Sequence, residues 1–199
     1  MSKLKTLIND KVIVLVGLMG SGKSSVGRRL AARLGLDFTD ADTEIETAAG
    51  CSIPDIFASH GEAAFREGER RVIARLLDMP GLVLAAGGGA YMDETTRARV
   101  GEKAISVWLR ADLEVLLERV SRRGNRPLLK RGDPREILSK LIEERYPVYA
   151  EADIVVDSLN GPHEAVVEKI VQSLAAYLKT DVAAATPRSE GSRCPSPTN

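Results

Sequence analysis

The chain has 199 residues, with 28 Lys and Arg residues balanced by 28 Asp and Glu residues, and 44% of its residues are hydrophobic. This length suits one compact domain of about 170–180 residues followed by a tail. The zero net charge argues against a dedicated nucleic-acid or membrane-surface binder, and the longest apolar run, 12–19, is too short to span a bilayer. Cys51 and Cys194 form neither a disulfide framework nor a metal pattern. We therefore expect a cytoplasmic protein without nucleic-acid or membrane partners.

Apolar runs alternate with amphipathic helical patterns along the chain. Strands are predicted over residues 11–16, 36–39, 82–86, 104–109 and 154–156. Helices are predicted over 24–34, from about 42, from 52, and over 62–77, 93–100, 112–122, 134–149 and 163–178. This alternation predicts an α/β fold in which crossover helices surround a mostly parallel, five-stranded sheet. The domain is expected to span 1–179, and the Ser-, Pro-, Thr- and Ala-rich segment 180–199 to be a disordered tail.

A glycine-rich segment follows the first predicted strand and opens the first long helix. Residues 17–24 read G-L-M-G-S-G-K-S and match the phosphate-loop pattern G-x-x-x-x-G-K-[ST]. Its glycines let successive backbone N–H groups point at phosphate oxygens, and the helix adds its positive N-terminal end. We expect Lys23 to reach the β- and γ-phosphates and the Ser24 hydroxyl to bind Mg²⁺.

Two carboxylates, Asp40 and Asp42, follow the second predicted strand. Side chains at i and i+2 of a strand end point to the same side, and the carboxyl ends of parallel strands are where α/β folds bind ligands. One carboxylate is expected to reach the metal through water and the other to accept a hydrogen bond from a substrate hydroxyl. The alternative is structural: Asp42 starts a helix, with Thr43 and Glu46 forming a capping box.

Three consecutive glycines, Gly87, Gly88 and Gly89, close the third predicted strand. Their bare backbone allows a ligand to approach, and their N–H groups can hold an anion or a hydroxyl. Since no Asp ends this strand, a metal would depend on Ser24, phosphates, water and Asp40.

The arginines fall into two groups. By default, Arg66 and Arg145 are helix-surface residues paired with Glu69 or Glu144. The second group surrounds a Gly- and Pro-containing loop with almost no acidic residues, which is typical of a mobile lid that closes over a nucleotide. RNA contact is an alternative, although aromatic residues for base stacking are missing. This second group comprises Arg119, Arg122, Arg123, Arg126, Lys130 and Arg131.

Taken together, these motifs closely resemble the shikimate kinase family over about residues 10–178. The matching segments are the phosphate loop, D-A-D at 40–42, F-R-E-G-E at 65–69, the triple glycine, R-P-L-L at 126–129 and R-Y-P-V-Y at 145–149. The resemblance implies a three-layer P-loop kinase with a five-stranded parallel sheet and a mobile lid, monomeric and cytoplasmic. It also implies ATP- and Mg²⁺-dependent phosphorylation of the 3-hydroxyl of shikimate, on the route to chorismate and the aromatic amino acids.

The resemblance also implies site residues. Asp42, Arg66, Gly88 and Arg145, with the rest of the triple glycine, would bind shikimate, while Arg119 would pack against adenine. Lys23, Asp42 and Arg126 would be catalytic, and Arg126 would contact the ATP phosphates. An ATP-contacting Arg common in the family is missing from residues 157–162. The ATP phosphates would be held by Gly20, Ser21, Gly22, Lys23, Ser24 and Ser25.

Two other classes of function stay open. One is a kinase for another small acceptor, such as gluconate or a nucleoside monophosphate. The other is a nucleotide-dependent switch or binding module, which would have no need for the acceptor-binding positions. An assay of ADP release with a panel of acceptors separates these classes.

Overall fold

The computed structural model describes residues 7–122 and 132–185, with side chains described up to residue 179. The predicted lid and Arg126 therefore lie outside the described residues, as does the chain from 186 to 199. Within the described residues, no helix is long and apolar enough to cross a membrane.

A five-stranded parallel sheet forms the centre of the fold, in the order β2-β3-β1-β4-β5. Every strand boundary lies within one residue of its predicted position. Buried apolar runs mark the three central strands clearly. The strands are β1 (Val12–Val16), β2 (Asp37–Asp40), β3 (Leu82–Ala85), β4 (Ala104–Arg110) and β5 (Ile154–Asp157).

Helices cover both faces of the sheet and confirm the predicted three-layer α/β class. Alternate residues of β1 enter two separate apolar cores: Val14 packs with α2–α6, and Ile13 packs with α1 and α7. The helices are α1 (Lys23–Leu34), α2 (Ala41–Ala49), α3 (Ile53–Leu76), α4 (Glu94–Lys103), α5 (Leu113–Ser121), α6 (Pro134–Tyr149) and α7 (His163–Ala185), with a 3-10 turn at Ala90–Met92.

Two helices differ most from their predicted extent. The helices predicted from 52 and over 62–77 join as α3, which kinks at Gly61, where φ is 76° and ψ is 178°. This backbone conformation is essentially restricted to glycine. Helix α7 continues to Ala185, beyond the predicted boundary at residue 180. The run of three alanines at 183–185 has high helix propensity, which explains the longer helix.

Candidate active site

The phosphate loop connects β1 to α1 at the carboxyl edge of the sheet. Gly17, Gly20 and Gly22 have φ values of 139°, 84° and 98°, which L-residues rarely adopt. A Cβ on Gly17 would lie only 2.8 Å from the carbonyl oxygen of Leu109. The glycines of this loop are therefore required by its backbone path.

Lys23 is the first residue of α1 and folds back over this loop. Its Nζ donates to Gly17 O at 2.8 Å and to Leu18 O at 3.0 Å. This places an ammonium group beside the ring of loop amides, where the N-terminal end of α1 also favours an anion. The loop is thus built to receive phosphate.

Asp40 links the loop to the second strand. Its Oδ2 accepts a hydrogen bond from Ser24 Oγ at 2.6 Å, and its Oδ1 accepts one from the backbone N–H of Asp42 at 3.2 Å. Asp40 is therefore the N-cap of α2, and Asp42 lies in the first turn of that helix. The carboxylate of Glu46 accepts instead from the N–H of Ile53 at 2.9 Å.

These contacts correct two predictions. Asp42 is not a strand residue, because β2 ends at Asp40 and α2 begins at Ala41. Nor does Asp42 cap the helix, because a cap residue must lie outside the first turn, and Asp40 occupies that position. Both carboxylates nevertheless line the same cavity.

Arg66 and Glu69 form an ion pair on the kinked helix α3. Arg66 Nη1 lies 2.7 Å from Glu69 Oε2, and Arg66 Nη2 lies 3.2 Å from Glu62 Oε1. Glu69 is only 4% exposed. Burial raises the pKa of Glu69, while the hydrogen bond and charge of Arg66 oppose the rise and the charge of Asp42 adds to it. The predicted pairing with Glu69 is thus present, but within a half-buried site rather than on the open surface.

Burial by itself would lower the pKa of Arg66, but hydrogen bonds to Glu69 and Glu62 outweigh it and raise that pKa. Arg66 is therefore a fixed positive charge in the cavity.

The triple glycine packs against α6 through a single carbonyl group. Gly88 O accepts from Arg145 Nη1 at 2.8 Å and also from the hydroxyl of Tyr149. Glu144 lies instead 3.8 Å from Lys140. The default pairing of Arg145 with Glu144 is therefore wrong, and Arg145 faces the cavity.

The neighbouring glycines leave room for charged side chains. A Cβ on Gly87 would lie 2.8 Å from Glu69 Oε1 and 3.1 Å from Asp42 Oδ1. A Cβ on Gly89 would lie 2.7 Å from Arg66 Nη1. Any other residue at these two positions would displace the cavity's acidic and basic groups.

Arg119 ties α5 to the phosphate loop and to the segment after β5. Its Nη1 donates to Ser158 Oγ at 2.9 Å and its Nη2 to Leu159 O at 2.7 Å. The Ser158 hydroxyl in turn donates to Ser21 O at 2.8 Å. Burial lowers the pKa of Arg119. Ser158 lies in the segment 157–162, which contains no Arg, and its hydroxyl connects that segment to the phosphate loop.

One cavity of about 670 Å³ brings the predicted groups together. Ser21 is buried behind the loop and does not line the cavity, and Arg126 lies outside the described residues. The predicted residues that do line it are Gly20, Gly22, Lys23, Ser24, Ser25, Asp40, Asp42, Arg66, Gly87, Gly88, Gly89, Arg119 and Arg145.

Sequence reasoning missed several cavity groups. Glu69 is predicted only as a surface partner of Arg66, although its spacing of three from Arg66 indicates a shared helix face. Phe57 and Phe65 both line the cavity, and their ring centroids are 4.7 Å apart. No local sequence pattern predicts this contact. Asn160 Nδ2 donates to Glu118 Oε2 at 2.6 Å at the cavity rim.

The described residues contain no cluster of three or more His, Cys, Asp or Glu side chains that could hold a metal. Ser24 and Asp40 are hard oxygen donors next to the phosphate loop, and such donors suit Mg²⁺ that arrives with a nucleotide and retains phosphate and water ligands. The residues present therefore fit a nucleotide-borne Mg²⁺.

The fold and the cavity define a P-loop kinase of small molecules: a phosphate loop at the carboxyl edge of a parallel sheet opens onto a pocket lined by arginines and aspartates. Comparison with known proteins narrows this class. A family model described as shikimate kinase matches residues 19–175, and the chain belongs to the shikimate kinase family.

Two shikimate kinases and one solved structure are similar to this chain over most of its length. A shikimate kinase of Paramagnetospirillum magneticum is 61% identical over 181 residues, which cover 89% of this chain and 93% of that protein. One of Caulobacter vibrioides is 62% identical over 167 residues, covering 84% of each. The structure of shikimate kinase from Acinetobacter baumannii in complex with shikimate has a TM-score of 0.82 and 38% identity, covering 87% of this chain and 97% of that one.

Proposed function

We propose that this protein transfers the γ-phosphoryl group of ATP to the 3-hydroxyl of shikimate. The observation that carries the proposal is that the phosphate loop shares one cavity with Arg66, Arg145 and Asp42. Shikimate has one carboxylate and three hydroxyls, which require cationic and hydrogen-bond-accepting partners respectively. Membership of the shikimate kinase family supports the same acceptor.

ATP would bind with its phosphates against the phosphate loop. The loop amides of Gly20, Gly22, Lys23, Ser24 and Ser25 would supply donors. Lys23 Nζ would exchange its bonds to loop carbonyls for bonds to the β- and γ-phosphates. Arg119, fixed by Ser158 and Leu159, would present its guanidinium plane to the adenine. The assignment of Arg126 to the phosphates rests on the R-P-L-L motif alone.

Mg²⁺ would be held by the Ser24 hydroxyl and, through water, by Asp40, whose carboxylate already accepts from that hydroxyl. When bound with ATP, the ion neutralises charge on the phosphate oxygens. The protein's own contribution is to keep Ser24 and Asp40 in place before the nucleotide binds.

Shikimate would be oriented by its carboxylate. Arg66 and Arg145 supply guanidinium groups, which bind carboxylates in a fixed geometry. Glu69 holds Arg66, and the carbonyl oxygen of Gly88 holds Arg145, so both side chains are already ordered before shikimate binds. Asp42 would then accept a hydrogen bond from the 3-hydroxyl, and this bond would direct the hydroxyl oxygen toward the γ-phosphorus of ATP.

Phosphoryl transfer depends mostly on positioning and on neutralising charge, because its transition state is loose and needs little covalent help. Asp42 would align the nucleophilic oxygen, and its carboxylate is the group proposed to accept the proton of the hydroxyl. Lys23 stabilises negative charge on the transferred group. The residues of the cavity therefore supply orientation on the acceptor side and electrostatic stabilisation on the donor side.

We further propose that the protein is a cytoplasmic monomer acting on the route to chorismate and the aromatic amino acids. Membership of the shikimate kinase family supports this proposal.

The test is ADP release by the purified protein with ATP, Mg²⁺ and shikimate. We expect turnover with shikimate and far less with gluconate or a nucleoside monophosphate, and loss of turnover in Lys23→Met. Equal or greater turnover with another acceptor would reassign the substrate. Nucleotide binding without transfer to any acceptor would favour a switch or a binding module.

A further inference from the structure

Tyr149 is a fully buried residue at the C-terminal end of α6 and has no role in the proposed transfer step. Its hydroxyl donates to Gly88 O, the same oxygen that accepts from Arg145 Nη1 at 2.8 Å. Residues four apart on a helix lie on one face. Two donors from a single face of α6 therefore hold the carbonyl group of Gly88.

The direction of this carbonyl determines the direction of the next amide. The peptide bond between Gly88 and Gly89 is trans, so the C=O of Gly88 and the N–H of Gly89 point in opposite directions within one plane. Since the carbonyl points toward α6, the N–H of Gly89 points away from that helix. Gly89 lines the cavity directly beside Arg66.

Three successive glycines impose little conformational restriction themselves, so contacts must select the orientation of this loop. The Tyr149 ring supplies a rigid anchor, because its centroid lies 6.0 Å from that of Trp108 and 6.3 Å from that of Tyr146. Burial raises the pKa of Tyr149, so the phenol keeps its proton and remains a donor through neutral pH.

We propose that Tyr149 is a positioning residue for the phosphoryl acceptor. By holding the carbonyl of Gly88, it aims the N–H of Gly89 at the acceptor's carboxylate and keeps Arg145 beside that same carboxylate. The inference rests on the proposed function, because it takes the acceptor to be a small carboxylic acid. Tyr149 does not line the cavity, so loss of its hydroxyl is expected to weaken acceptor binding and to leave the transfer step unchanged.

The decisive variant is Tyr149→Phe, which removes one oxygen and leaves the ring in place. Gly88 O keeps its bond from Arg145, so no buried carbonyl is stripped of partners and the variant is expected to fold. We expect the KM for shikimate to rise about two- to ten-fold, the range that one hydrogen bond supports. The kcat and the KM for ATP should stay near their wild-type values.

Tyr146→Phe is the matched control. Tyr146 lies on the same helix, and its hydroxyl donates to a backbone carbonyl, that of Ala111, outside the glycine loop. A purely structural role for both phenols predicts similar losses of thermal stability and equal effects on KM. An unchanged KM for shikimate in Tyr149→Phe, or an equal rise in both variants, would overturn the inference.

A second measurement needs no variant. In wild-type protein labelled with ¹⁵N-glycine, saturating shikimate should shift the amide resonance of Gly89, and an unshifted resonance would refute its assignment as a donor. Wild-type turnover separates the two proposals. If shikimate is phosphorylated and these tests fail, only the role of Tyr149 is lost, whereas an inactive wild-type protein removes both proposals.

Discussion

The Ser24 hydroxyl donates a 2.6 Å hydrogen bond to Asp40 Oδ2 and so connects the first turn of α1 to the end of β2. The other oxygen of Asp40 caps α2, the helix that carries Asp42. A single carboxylate thus fixes both the proposed metal-side hydroxyl and the residue proposed to orient the acceptor. Its charge and its capping role can be separated by substitution.

Asp40→Asn should lower kcat by about ten- to 100-fold, because a hydrogen bond to a charged group contributes about 1.5–3 kcal/mol. Asn is a good N-cap, so α2 should stay folded and the KM for shikimate should change little. The measurement is kcat as a function of Mg²⁺ concentration, which should saturate at higher Mg²⁺ in the variant. Asp37→Asn, at the exposed start of β2, is the control. Wild-type kcat and Mg²⁺ dependence in Asp40→Asn would exclude the proposed role of its charge.

Arg66→Lys keeps the positive charge beside Glu69 but loses the planar fork that binds a carboxylate through two hydrogen bonds. We expect the KM for shikimate to rise about ten-fold, equivalent to about 1.4 kcal/mol, with the KM for ATP unchanged. Steady-state kinetics with each substrate varied in turn provide the measurement. Arg71→Lys, on the same helix but with its side chain 77% exposed, should behave as wild type. A parallel rise for both substrates would mean that Arg66 does not act on the acceptor.

Because the pKa of Glu69 is raised, we expect the unfolding free energy of the protein to depend on pH. Its pKa in the folded protein is raised, chiefly by burial, so its unfolded carboxyl group loses its proton at a lower pH than its folded one does. The unfolding free energy of wild type minus that of Glu69→Gln should therefore fall as pH rises above 4.5, the ordinary value of this group, and level off beyond the folded pKa. The slope is at most about 1.4 kcal/mol per pH unit. Urea unfolding between pH 4 and 8 gives this difference.

Glu67→Gln is the matched control for this experiment. Hydrogen bonds from Arg70 and Arg71 lower the pKa of Glu67. The unfolding free energy of wild type minus that of Glu67→Gln should therefore fall as the pH drops below 4.5, the ordinary value of this group. Because the side chain of Glu67 is 46% exposed to solvent, its effect should be small. Identical pH profiles for the two variants would contradict the burial of Glu69 as the cause.

Gly27→Ala tests the packing of α1 against β2. A Cβ at this position would lie 2.5 Å from Cε2 of Phe38 and 3.1 Å from Cδ1 of Leu15. Overpacking of this kind costs about 1–3 kcal/mol of unfolding free energy, which chemical denaturation measures. Gly101→Ala, in α4 with no atom within 4 Å of its Cβ position, should instead stabilise the protein by about 0.5–1 kcal/mol. Destabilisation by both variants would show that space is not the deciding factor.

The sheet and the phosphate loop were predictable because local patterns encode them: apolar runs mark central strands, and G-x-x-x-x-G-K-[ST] between a strand and a helix has few other meanings. The start of α2 was less predictable. Asp40 and Asp42 are both good capping residues, and the choice depends on where β2 stops, a matter of pairing with β3.

The contacts behind the site could not be read from local sequence. A tyrosine four residues after Arg145 is equally consistent with ordinary core packing, and only its bond to Gly88, 61 residues away in the chain, distinguishes it. The ion pair of Arg66 with Glu69 follows helical spacing, but the burial that raises the pKa of Glu69 depends on the approach of the triple glycine. Spacing therefore identifies candidates, and tertiary contact decides their roles.

The kink at Gly61 divides the residues that α3 contributes to the cavity between two helical segments. Ile53 and Phe57 belong to the rod before the bend, and Arg66 and Glu69 to the rod after it. The width of the pocket therefore depends on the torsion angles of one residue that does not line it. A change in that bend would alter which molecules fit, although every side chain of the pocket wall would stay the same.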